Sequence, residues 1–92
     1  MTDDEKLDRE LMREAAEDAH IEAQDGYLKW GAVNSAHEAY AVMAEEVDEL
    51  WDHVKTKQKN RDLGAMRKEA IQVAAMAIRF AAEVADERRG RR

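Results

Sequence analysis

The chain has 92 residues, no Cys, no Pro, 45% apolar residues and a formal charge of −6. Lack of Cys excludes disulfides, thiolate metal ligands and Cys nucleophiles, and the acidic balance opposes broad nucleic-acid binding, which needs clustered Lys and Arg. No long charge-free apolar run and no basic leader before an apolar stretch is visible, so neither a membrane span nor a secretory signal is expected, and the cytoplasm is the default compartment.

Ala, Glu, Leu, Met, Lys and Arg dominate the chain, and all favour helix. The pattern predicts an all-α protomer of three helices. The first runs roughly from Asp3 to Lys29, with Leu7, Leu11, Ala15, Ala19 and Ala23 recurring every four residues and Met12 and Ile21 beside them. Gly26 weakens its end, and Gly31 is the expected stop. Glu17-Asp18-Ala19-His20 contains one Glu-x-x-His. A ferritin-like dimetal bundle wants that motif on two helices, so a single copy fits it poorly.

Ser35-Ala36-His37-Glu38 reads as a capping box, in which Ser35 accepts the Glu38 amide and the Glu38 carboxylate reaches back. The second helix then runs to about Lys55. Its apolar positions, Ala36, Tyr40, Met43, Val47, Leu50 and Val54, are spaced alternately by four and three and form a seam for another helix. Lys55 to Asp62 is a polar connection without strand signals.

Asp62 or a neighbour caps a third helix reaching about Arg88, with Gly64 in its first turn. Ala70, Val73, Ala74, Ala77, Ala81 and Val84 form its main stripe, while Ile71, Ala75, Met76, Ile78, Phe80 and Ala82 cover much of the remaining circumference. A helix apolar on most sides needs more cover than two short neighbours provide. Residues 1–92 make one domain whose size favours a partner subunit, and a homodimer or homotetramer is predicted. The tail Arg88-Arg89-Gly90-Arg91-Arg92 is the one concentrated basic patch and reads as a solvated terminus.

Oxygen-bearing side chains border both inner seams. Glu46 and Glu49 lie about 60° apart on one edge of the second helix, and Glu69 and Gln72 bear nearly the same relation to the third. Antiparallel packing of the two seams brings these edges together, with three carboxylates and one amide oxygen converging. Mg²⁺ favours such ligands, keeps several waters and binds substrate phosphates. Glu45 points further from the core than Glu46 yet can approach a metal or a water. Asp48 faces away.

The stretches His37-Glu38-Ala39-Tyr40-Ala41-Val42-Met43-Ala44-Glu45-Glu46-Val47-Asp48-Glu49-Leu50-Trp51 and Arg67-Lys68-Glu69-Ala70-Ile71-Gln72-Val73-Ala74-Ala75-Met76-Ala77-Ile78-Arg79-Phe80 together resemble the all-alpha nucleoside triphosphate pyrophosphohydrolases, the MazG-like superfamily. The resemblance covers residues 30–84. The family pattern is Glu-x-x-Glu followed by Glu-x-x-Asp on the next helix, and it matches Glu46, Glu49 and Glu69. Gln72 stands where Asp is usual, and it offers a carbonyl oxygen without the anionic charge.

The resemblance implies a helical-bundle oligomer that cleaves a nucleoside triphosphate between its α and β phosphates, giving a monophosphate and pyrophosphate. Glu46, Glu49 and Glu69 would hold Mg²⁺ with Gln72 assisting, and Glu45, Glu46, Glu49 and Glu69 are the catalytic candidates. Lys55, Lys68 and Arg79 are candidate phosphate contacts, Arg79 being the best placed. Trp30, at a helix exit, is the preferred surface for a base; Tyr40 reads as core and Trp51 as interface. His37, in the opening turn of the second helix, can approach phosphate or base, and His53 lies one turn beyond Glu49. A noncatalytic structural or regulatory bundle is the alternative.

Overall fold

A computed structural model describes residues 1–91; Arg92, the last of the basic tail, lies outside the described residues. Three helices account for most of the chain: α1 (Asp3–Trp30), α2 (Ala36–Val54) and α3 (Leu63–Glu83). No helix is long and apolar enough to cross a membrane.

Local chemistry fixes the ends. Thr2, Ser35 and Asp62 each accept a backbone N–H from three residues on, at 3.0–3.1 Å, and so cap α1, α2 and α3. Half of the expected capping box forms: Ser35 takes the Glu38 amide, but the Glu38 carboxylate accepts from the Asn34 side chain at 2.8 Å instead of reaching the Ser35 amide. Gly31 ends α1 at φ 80°, a conformation that favours glycine, and donates to the Tyr27 carbonyl. The connection after α2 holds a short 3₁₀ turn, Gln58–Asn60. Arg61 folds back over it and donates to the carbonyls of Val54 at 2.6 Å and Thr56 at 3.1 Å, closing the end of α2.

The third helix is shorter than its composition suggests. It stops at Glu83, and Asp86 then caps a separate 3₁₀ turn, Glu87–Arg89, where the pattern extended the helix to about Arg88. Asp86 accepts the Arg88 amide and its guanidinium, at 2.7–2.9 Å, which competes with continued helix.

α3 is the central element, packed on one side by α2 and on another by α1. Asp18 meets Arg67, Glu22 meets Gln72, and the Gly31 carbonyl meets Arg79, so α1 runs parallel to α3. α2 runs antiparallel to α3, with Glu49 near Glu69 at one end and Tyr40 near Phe80 at the other. Since Asp18 is level with Arg67, the first turns of α1 run past the start of α3. Every residue from Met1 to Glu14 is exposed, Leu7 and Leu11 included.

The buried set is small: Ala19, Ala23, Val33, Ala39 and Ala75, with the charged pair Arg79 and Glu83. Alanine at these contacts lets the helices approach closely, but each buries little apolar area. The expected seams are rotated. On α2, Ala36, Met43 and Leu50 are half-buried, whereas Tyr40 and Val47 are exposed at 63% and 46%, so Tyr40 is not a core residue of the protomer. On α3 the buried line is Ala75, Arg79 and Glu83, while Ala70, Ala77 and Ala81 of the expected stripe face outward. The α3 side chains that meet α1 and α2 are thus partly charged. Val73, Ala74 and Val84 of the expected stripe are half-buried.

Gly26 does not end α1. A Cβ placed there would lie 3.3 Å from the Arg79 guanidinium, and the missing side chain leaves room for that group.

Candidate metal centre

α2 and α3 bring Glu46, Glu49 and Glu69 together. One carboxylate oxygen from each lies within 4.8 Å of the other two, and theirs is the group of acidic or histidine side chains close enough to share a cation among the described residues. Glu46 and Glu69 are half-buried, and Glu49 is exposed at the rim. Oε2 of Glu69 is buried without a hydrogen-bond partner. A desolvated carboxylate oxygen is costly to leave unpaired, so an atom of this kind needs a donor, a proton or a cation.

Electrostatics record the crowding. Burial first, then the neighbouring Glu69 and Glu49, push the Glu46 carboxyl up from 4.5 to about 7. Glu49 is also raised, chiefly because its carboxylate meets that of Glu69. Carboxylates this close cannot all ionise freely, and Glu46 and Glu49 hold their protons more tightly until positive charge arrives. An oxygen-only set of this kind suits a hard divalent ion such as Mg²⁺. Its donor chemistry fits the implied metal.

Gln72 lies one turn beyond Glu69 on α3. Its Nε2 donates to Oε1 of Glu22, on α1, at 2.8 Å. Glu22 was not among the residues the sequence pattern singled out, although a signal was there: it borders the stripe of Ala19 and Ala23, as Glu46 and Glu49 border theirs. Glu45 is exposed beside the group and contributes to the raised proton affinity of Glu49.

The remaining candidates are spread along the bundle. Lys55, just past the end of α2, pairs with Asp52 at 3.0 Å at the same end as the carboxylates. Lys68 is exposed beside Glu69, and His53 is half-buried one turn past Glu49. Trp30, His37 and Arg79 lie at the opposite end, the rise from Glu69 to Arg79 being about 15 Å. Trp30 is 77% exposed, with Lys29 Nζ 5.1 Å from its ring centre. Together with Arg79 it lines a hollow of about 220 Å³. His37 borders another hollow with Tyr40 and Phe80. Glu17 and His20, the single Glu-x-x-His, do not belong to the three-carboxylate group, and Glu17 faces Arg13 at 3.9 Å instead.

Arg79 is engaged within the fold. Its Nε donates to Glu83 Oε2 at 2.6 Å, and an NH₂ donates to the Gly31 carbonyl at 2.7 Å. Glu83 in turn accepts the Val33 amide at 2.9 Å. Burial alone would raise the Glu83 carboxyl, but the hydrogen bonds from Arg79 and Val33 hold it below its ordinary value. The i, i+4 spacing of Arg79 and Glu83 on an apolar helix was the sequence signal for this pair. It ties the end of α1 and the α1–α2 loop to α3.

No family model, curated protein or solved structure matches the chain.

Proposed function

We propose that the protein is a Mg²⁺-dependent nucleoside triphosphate pyrophosphohydrolase of MazG-like type. The observation that carries this reading is the convergence of Glu46, Glu49 and Glu69, with ligand oxygens within 4.8 Å and one carboxylate oxygen of Glu69 buried without a partner. The match of these residues to the Glu-x-x-Glu and Glu-x-x pattern of that superfamily gives the reaction.

In this reading Glu46, Glu49 and Glu69 hold the cation and Gln72 lends a neutral oxygen. A Mg²⁺ held there would neutralise phosphate oxygens and the charge that develops on departing pyrophosphate. Three carboxylates alone would repel a triphosphate, so the chain's own contribution is to hold them close enough that a cation outcompetes protons. Glu45, exposed and outside the group, is the carboxylate free to accept a proton from the attacking water. Water adds to the α phosphorus, the bond to the β-side oxygen breaks, and monophosphate and pyrophosphate leave. Lys55 sits at the right end of the bundle to meet phosphate. Trp30 offers an exposed ring for a base, toward the opposite end.

A second copy completes the assembly. Tyr40, Val47, Trp51 and Val54 share one face of α2 and are 39–63% exposed. Such a stripe is costly in water and suits a homodimer or homotetramer.

The deciding experiment incubates the full chain with a panel of nucleoside triphosphates and Mg²⁺ and identifies products. Monophosphate with pyrophosphate, lost in Glu49→Ala while the oligomer persists, is the expected result. Absence of turnover and of metal binding across the panel would leave a noncatalytic structural or regulatory bundle.

A further inference from the structure

We infer that Glu22 of α1 is a positioning residue for the candidate cation site, acting through Gln72. The inference rests on the metal-centre reading above and adds a residue that the Glu-x-x-Glu and Glu-x-x-Asp pattern does not contain. The observation is the hydrogen bond from Gln72 Nε2 to Glu22 Oε1, 2.8 Å long and partly buried, joining helices 50 residues apart in sequence.

A primary amide has two chemically opposite ends: the nitrogen donates and the oxygen accepts. An ionised carboxylate only accepts. Glu22 therefore selects the nitrogen of Gln72, and the alternative rotamer, oxygen toward oxygen, is repulsive. With Nε2 committed, the carbonyl oxygen is the end that Gln72 retains for a cation. A free Gln at this position would populate both orientations and present its NH₂ to a cation part of the time. The carboxylate on α1 removes that possibility.

An Asp in place of Gln72 would need no such partner, because both of its oxygens are ligands. Glu22 would then face a second carboxylate and repel it. The amide of Gln72 and the carboxylate of Glu22 are mutually consistent in a way that two facing carboxylates would not be. The neutral ligand and its acidic neighbour form a unit.

The test measures Mn²⁺ binding to the full chain, as loss of the free-ion electron paramagnetic resonance signal. It compares wild type with Glu22→Ala, Glu22→Gln, Gln72→Ala, the Glu22→Ala/Gln72→Ala double variant and Glu69→Gln. Partners behind a metal ligand cost about 10–100-fold in affinity when removed. Glu22→Ala is expected at the low end, roughly tenfold, since Gln72 is one neutral ligand among carboxylates. Glu22→Gln should also lose affinity, because its carbonyl oxygen can accept from Nε2 but its NH₂ can instead hold the Gln72 oxygen. In the Gln72→Ala background, Glu22→Ala should add no further loss.

Two results overturn the inference while leaving the site standing, each with Glu69→Gln still losing Mn²⁺. The first is an unchanged affinity in Glu22→Ala. The second is an equal loss from Glu22→Ala with Gln72 already gone. Failure of the wild-type chain to bind Mn²⁺ would instead defeat the metal-centre reading itself, and this inference with it. Thermal melts of the metal-free variants separate loss of fold from loss of positioning: a Glu22→Gln chain that melts as wild type keeps the comparison valid.

Discussion

Replacing Glu46 by Gln should stabilise the metal-free protein at pH 8 while weakening its hold on Mg²⁺. The carboxyl titrates near 4.5 in an unfolded chain and near 7 in the folded one, because burial and the facing Glu69 and Glu49 favour its neutral form. The folded state thus binds the proton more tightly. Its contribution to stability is complete below pH 4.5, declines as pH rises toward 7 and is gone above that. Each pKa unit corresponds to about 1.4 kcal/mol, which bounds the effect at roughly 3 kcal/mol. Solvent reaches the half-buried group and screens it, so about 1–2 kcal/mol is the realistic gain for Glu46→Gln at pH 8. For a chain of this size each kcal/mol moves Tm by about 4–8 °C. Circular dichroism melts at pH 5 and pH 8, with and without Mg²⁺, read the prediction directly. The variant should melt above wild type at pH 8 without metal, close to it at pH 5, and gain less from Mg²⁺. Equal melting at pH 8 would show that the three carboxylates do not repel one another, and the argument for a cation site would lose its electrostatic basis.

Wild-type protein should be stabilised by Mg²⁺ more at pH 8 than at pH 5, since protons compete for the same oxygens; at about 100 times its Kd the ion adds about 2.7 kcal/mol, and a uniform shift at both pH values would point to binding elsewhere. Arg79→Ala leaves Glu83 buried without its main counter-ion and should cost about 3–5 kcal/mol by chemical denaturation, whereas a cost below about 1 kcal/mol would mean that the pair does not anchor α1 to α3. The carboxyl of Glu83 is lowered in the folded state, so its share of stability is present above pH 4.5 and lost as pH falls through its folded value, a decline that Arg79→Ala should abolish. Trp51→Glu places charge in the exposed stripe of α2 and should shift the sedimentation coefficient from oligomer toward monomer; an unchanged distribution would place the contact elsewhere.

Sequence alone was enough for what depends on neighbours along the chain. Helix-forming residues without Pro, the caps at Ser35 and Asp62 and the glycine at position 31 set three helices within a few residues of those observed, because caps and periodicity act over one or two turns. The pairing of Glu46 and Glu49 with Glu69 was also legible, since positions three apart on facing helix edges meet whenever the two helices pack antiparallel. What escaped was rotation and partnership. Tyr40 and Ala77 were expected inside and lie outside, while Arg79 and Glu83 lie inside. Helix periodicity says which side chains share a face, but the face that is covered depends on where the neighbours sit, and a parallel α1 could not be foreseen from its own stripe. Only the packed structure set Glu22 beside Gln72 and carried Arg79 to the Gly31 carbonyl, because both contacts join groups brought together by three-dimensional closure.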